Sequence, residues 1–257
     1  MAISTGLQQT WGSLAHSSYH SLQAKFRKRY RNGLQMLAAY TWSKLIDDFS
    51  SVGGYGQSYP GYTNNNRRDL DRALSSIDVG QHLAVNFQYD LPFRPAERVL
   101  RAVAGGWSLN GIVTVQSGMP IPILSAANTT NSFGGGQRPN SSGITSRSPG
   151  SDKERIDRWF DAAAFANPPR YAFGNVGRTL PDNRGPRLHV WDISVLKNIA
   201  LRESWRLEFR AEFFNAFNNV NFLPPEDANA DFGRPQFGTL TSTERARVIQ
   251  FGLKLHY

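Results

Sequence analysis

Along most of this chain, apolar and polar residues alternate one by one. In "HLAVNFQYDLP", Leu83, Val85, Phe87, Tyr89 and Leu91 share one parity, and His82, Asn86, Gln88 and Asp90 share the other. Successive side chains of an extended strand point to opposite faces, so such a run predicts a strand with one apolar and one polar side. The same period predicts seven strands, near 19–30, 34–45, 81–92, 106–117, 188–199, 204–217 and 245–257. "RNG" at 31–33 predicts a tight hairpin between the first two, because Asn-Gly tolerates positive φ. The expected fold class is therefore all-β, an antiparallel meander of about seven long strands.

Strands of roughly ten residues are longer than the usual five to six. They suit the roughly 9–11 residues that a tilted strand needs to cross a bilayer. The connections alternate in length: short after the first, third and fifth strands, and long at 46–80, 118–187 and 218–243. The long ones are rich in Gly, Asn, Ser and Pro and read as flexible, low-complexity loops. Short turns on one side and long loops on the other are the habit of outer-membrane barrels, whose long loops are extracellular.

On this reading the stretch "WRLEFRAEFF" has a lipid side and a lumen side. Leu207, Phe209 and Phe213 face lipid, while Arg206, Glu208, Arg210 and Glu212 form a charge ladder lining the interior. Charges of that kind facing lipid near the midplane would cost several kcal/mol each (on the order of 2–4 for Arg). Tyr40, Trp42, Tyr89, Trp107, Trp191 and Trp205 are expected near strand ends, as interfacial aromatics. In the last strand, Phe251, Leu253, Leu255 and Tyr257 present the pattern of a C-terminal assembly signal, which the barrel-insertion machinery would read by strand addition.

Composition narrows the alternatives. The 257 residues are 40% hydrophobic, yet no run is long enough to make a transmembrane helix. The first residues lack the basic and apolar regions of a secretory leader. Cysteine is absent, which excludes disulfides and thiolate metal sites. The net charge of +9 raises the question of nucleic acid, and "KFRKRYR" at 25–31 interleaves cations with rings. That run abuts a hairpin turn on an amphipathic strand, so it is read as rim and lumen charge, and no nucleic-acid partner is expected.

The remaining candidates for chemistry are weak. His16 and His20, on extended chain, lie about 13 Å apart and should not share a metal. "FGGGQ" at 133–137 lacks the residues of a phosphate loop and reads as flexible. "SDKE" at 151–154 resembles a capping box and predicts a short helix through "RIDRWF". Asp47 and Asp48 read as solvated loop carboxylates, and Asp69 and Asp71 as a loop patch paired with Arg67, Arg68 and Arg72. No Ser-His-Asp constellation is present, so neither catalysis nor a cofactor is expected.

Four runs carry a family resemblance: "SSYHSLQAKFRKRYRNGLQMLAAYTWSKLIDD", "GGWSLNGIVTVQSGMPIPI", "WFDAAAFANPPRYAFGNVGRTLPDNRGP" and "WDISVLKNIALRESWRLEFRAEFFNAFNNVNF". In order and spacing they resemble the C-terminal barrel of TonB-dependent receptors of the Oar-like kind, which often carry an N-terminal carboxypeptidase-regulatory-like domain. The resemblance implies a barrel of about 22 strands around a plug, a TonB box and uptake of an unidentified ligand. It implies outer-membrane lipid, lipopolysaccharide, the insertion machinery and the TonB complex as partners. Plug and TonB box are not in this sequence. Seven is also an odd number where bacterial barrels have an even one, so the chain is expected to be the C-terminal part of a longer protein. A passive porin or adhesin-like outer-membrane barrel, and a soluble basic β-protein binding nucleic acid, are the rival readings.

Overall fold

The computed structural model describes residues 15–49, 63–64, 67–130, 137–201, 205–225 and 229–257. Its centre is an antiparallel sheet of seven long strands: β1 (Ser17–Arg31), β2 (Leu34–Asp47), β3 (Gln81–Asp90), β4 (Trp107–Gln116), β5 (Leu188–Ala200), β6 (Arg206–Phe214) and β7 (Val248–His256). Each pairs with its neighbours in sequence, and the order ends at β1 and β7, which do not pair with each other. The Asn-Gly hairpin joins β1 to β2, with φ of 55° at Asn32 and 79° at Gly33.

Pairing in register sorts the side chains into two faces. One carries rows such as Met36, Phe87, Gly111, Ile193, Phe213 and Ile249. The other carries Gln35, Gln88, Asn110, Ser194, Glu212 and Gln250 at the adjacent rung. Among the described residues much of the apolar face is left uncovered: Leu22, Phe26, Trp42, Phe251 and Leu253 are all exposed.

The hydrophobic core lies elsewhere. Ile121, Ile123, Trp159, Phe160, Phe165, Val176, Leu180 and Leu240 pack together, all contributed by the connections 118–187 and 218–243. The Phe237 ring lies tilted 5.1 Å from Phe160 and edge-on 5.6 Å from Phe165. Short pairings knit this loop module: Leu124–Ser125 with Asp231–Phe232, and Asn140–Ser141 with Phe165–Ala166. The expectation of flexible, low-complexity loops fails for these described parts. Their Gly and Pro residues shape turns around a genuine apolar core. Residues 50–62 and 65–66 of the first long connection lie outside the described residues, as do positions 133–136 of "FGGGQ".

The helix expected after "SDKE" does not form. Ser151 donates from its amide and its hydroxyl to Glu154 Oε2, at 2.7 and 2.8 Å, so the capping contact exists. The chain then makes turns, because the Trp159 amide donates instead to Gly238 O, and Trp159 is drawn into the core. The α-helix that does form, α1 (Arg98–Ala104), sits inside the connection from β3 to β4.

β6 stops at Phe214, short of the expected residue 217, and β7 starts at Val248, later than the expected 245. Asn215 is the cause. It adopts φ of 49° and is buried, its Nδ2 donating to Asn219 O and Arg245 O while its Oδ1 accepts from the Asn219 amide. Asn tolerates that backbone; a β-branched residue does not. Asn215→Val should cost about 1–3 kcal/mol through backbone strain alone, read as a lowered urea midpoint of the folded full-length protein.

Candidate functional site

Three elements define the candidate site: the polar face of the sheet, the loop module at one end of it, and the contacts that fasten one to the other. The charge ladder of β6 is brought together in part. Arg210 reaches Glu208 at 3.0 Å and Glu212 at 3.5 Å along its own strand. Across the strands, Glu208 stands opposite Lys254 and Asn198, and Glu212 opposite Gln250 and Ser194. Arg206 stays outside this ion-pair cluster among the described residues. Beside the ladder a cavity of about 350 Å³ opens, bordered by the polar Asn86, Gln88, Asn110, Asp192, Ser194 and Glu212 and by the apolar Ile112 and Phe214.

The fastening of the loop module was not visible in the sequence pattern. Three aspartates at the loop end of β2 and in the segment after it each meet an arginine from the module. Asp47 pairs with Arg178, Asp71 with Arg138, and Asp78 with Arg184 at 2.6 Å. Both partners are buried in the first two pairs, and Asp78 is buried in the third. Backbone acceptors complete the set: Arg178 Nε donates to Asp71 O at 3.0 Å, and Thr179 Oγ1 to Leu74 O at 2.7 Å. Burial lowers the Arg138 pKa from its ordinary value, while Asp71 pulls it back up.

These contacts correct two expectations. Asp47 and Asp48 are not solvated: each is less than 10% exposed, Asp47 bound by Arg178 and Asp48 by the amide of His16 at 2.7 Å. Asp69 does pair with the nearby Arg67, but Asp71 turns away from its arginine-rich surroundings to Arg138. A buried carboxylate needs a buried partner, and that requirement outweighs nearness in sequence. The available signal was "GNVGRTLPDNRGP", where Arg178 and Arg184 flank the apolar Leu180.

Inside the module, Arg155 is fully buried, its Nη2 donating to Trp159 O and Asn183 Oδ1 at 2.9 and 3.0 Å. Its guanidinium lies 4.1 Å over the Trp159 ring. Asp182 accepts from the Ser146 amide and hydroxyl, both at 2.7 Å, and from the Thr145 hydroxyl at 2.8 Å. Burial opposes the Asp182 charge, but these donors outweigh it and hold its pKa below the ordinary 3.8. Because the folded pKa is depressed, this stabilisation is present at neutral pH and is lost as pH falls through the lowered value. Asp182→Asn should therefore speed hydrogen exchange at the Ser146 amide at pH 7, and the difference from wild type should vanish once the wild-type carboxylate is protonated.

The expected aromatics fall into two groups. Tyr89 and Trp107 lie at the turn end, and there the Trp205 ring is 6.1 Å from Tyr257. Trp42 and Trp191 lie toward the loop end, Trp191 edge-on to Phe217 at 5.5 Å. Tyr40 is mid-strand rather than terminal: β2 extends seven residues beyond it, because the strand continues to the Asp47 anchor. Phe251, Leu253 and Leu255 are exposed along the edge strand β7, and Tyr257 is exposed just past its end. The cations of "KFRKRYR" divide between faces, Lys25 and Arg27 on the polar side and Lys28 on the apolar one, so they form no single stripe. No group of side chains suited to a metal occurs among the described residues.

An apolar sheet face left largely bare, an opposite polar face, and inner strands β2–β6 each paired on both edges with antiparallel neighbours suit a bilayer. A family model described as an outer membrane beta barrel domain matches residues 4–250. The chain belongs to that family. Comparison with curated proteins and with solved structures finds no match. The domain is therefore part of an outer-membrane barrel.

Proposed function

We propose that this barrel domain is a sector of the wall of a TonB-dependent receptor, which imports a scarce ligand and carries out no catalysis. The observation that carries the reading is the loop module, folded around its own core and fastened by three Asp–Arg pairs. A passive pore needs an unobstructed mouth, whereas a receptor needs preorganised loops to hold a ligand. The unpaired edges of β1 and β7 support a wider barrel, since open edges in hydrocarbon leave backbone groups unsatisfied. The resemblance to Oar-like receptors in "WDISVLKNIALRESWRLEFRAEFFNAFNNVNF" and the other three runs supports the TonB-coupled class. In this reading lipopolysaccharide and phospholipid surround the wall, the insertion machinery acts on the exposed β7 edge, and TonB engages a region outside this chain.

The test uses the full-length protein in a planar bilayer and in cells. A closed baseline, together with site-specific crosslinking to the periplasmic domain of TonB, is the expected result. Steady ohmic conductance from the unmodified protein, with no TonB crosslink, would identify a passive pore.

A further inference from the structure

Lys197 breaks the rule of the membrane-facing wall. Register places it on the apolar face, directly between Trp107 on β4 and Phe209 on β6. A bare ammonium there would be costly, yet Lys197 is only 5% exposed. Its cover is α1. Lys197 Nζ donates to Val103 O at 3.1 Å and to Gly105 O, the carbonyls that close the helix, where the dipole favours a cation. The Trp107 ring lies 5.2 Å from the ammonium, and Trp107 Nε1 donates to Val103 O at 2.8 Å. The helix is therefore fastened to the outside of the wall.

Two further features hold it there. Gly106 has φ of +70°, and a Cβ on it would lie 2.6 Å from Asn198 O, so the chain turns against β5 only because this residue is glycine. Arg101 donates from Nε to Pro95 O at 2.9 Å and from Nη2 to Ala96 O at 2.6 Å, joining the approach segment to the helix. The result is a braced unit whose outer surface is apolar: Val99 is 75% exposed, Val103 67%, Phe93 58% and Leu100 52%.

We propose that α1 is an in-plane membrane anchor, seating Val99, Leu100 and Val103 at the phospholipid interface of the periplasmic leaflet. Continuity identifies the occupant. The helix is bonded to wall residues that already meet lipid, and it stands at the end of the short turns, which in this class is the periplasmic one. Its cationic neighbour Arg94 is exposed beside Phe93, matching a phosphate headgroup. An apolar face with flanking cations is the composition of a helix lying in the interface. The anchor also shields the one cation that a lipid chain would otherwise meet at this point of β5.

The experiment uses the full-length protein in phospholipid nanodiscs. A single cysteine in place of Val103, labelled with an environment-sensitive fluorophore, should be quenched more by headgroup spin-labelled lipid than by mid-chain spin-labelled lipid. A label at Val85, on the wall, should show the reverse order, and one at Lys153, in the loop module, should respond to aqueous iodide alone. Unmodified protein treated with a phospholipid-borne diazirine should carry adducts within 99–103, which removes any dependence on the substituted variant folding. Iodide quenching at position 103 equal to that at 153, with no diazirine adduct in the helix, would overturn the proposal.

Discussion

Arg178→Ala should release the loop module from the wall at a cost of about 3–5 kcal/mol, the range for removing one partner of a buried ion pair. The substitution removes the buried guanidinium that meets the Asp47 carboxylate, and Asp47 is itself only 7% exposed. It also removes the Nε bond to Asp71 O, which couples this pair to the one between Asp71 and Arg138. The expected readout is hydrogen exchange in the full-length protein. Amides at Val176–Leu180 and at the loop end of β2 should lose protection together, while β3 and β4 keep theirs. Replacing both partners, Asp47→Leu with Arg178→Met, should recover most of the protection, because no charge is then left unpaired. If Arg178→Ala leaves exchange in 176–180 unchanged, the fastening described here is wrong.

The second large effect concerns adjacent residues on β3. Val85 stands on the membrane face between Ala38 and Val113, and Asn86 on the polar face between Leu37 and Ile112. Val85→Arg should cost about 2–4 kcal/mol, the depth-dependent price of a guanidinium in hydrocarbon. Asn86→Arg should fall within about 0.5 kcal/mol of wild type, since that side chain is exposed on the polar side. Urea-titrated folding of the full-length protein into lipid vesicles measures both. Equal costs would remove the distinction between the faces.

What could be read in the sequence follows from how far each determinant reaches along the chain. The alternation Leu83, Val85, Phe87, Tyr89 is local, because strand geometry alone sends those side chains to one face. The meander is nearly as local: β1 and β2 are joined by two residues, Asn32 and Gly33. The loop anchors are not local. Asp47 and Arg178 are separated by 131 positions, Asp78 and Arg184 by 106, and no period links them. Asp71 was misleading because its partner, Arg138, is 67 positions away while other cations stand beside it in sequence. Asn215 hid inside an alternating run, since side-chain parity carries no sign of positive φ. Lys197 interrupts an apolar parity for a reason only tertiary structure supplies, the carbonyls of a helix some 90 positions earlier. That helix carried a faint signal in Val99, Leu100 and Val103, spaced as a helical face but too short to stand out within a turn.

The measurement closest to the central claim is spin-label accessibility along β3 of the full-length protein in lipid. The 257 residues contain no cysteine, so each position from 82 to 89 in this region can be substituted and labelled singly. Labels at Leu83, Val85 and Phe87 should collide preferentially with oxygen dissolved in the bilayer. Labels at Ala84, Asn86 and Gln88 should collide preferentially with a water-soluble nickel complex. A two-residue period in that order is the predicted result; accessibility without a period, or with the two sets exchanged, would contradict the assignment of the apolar face to the membrane.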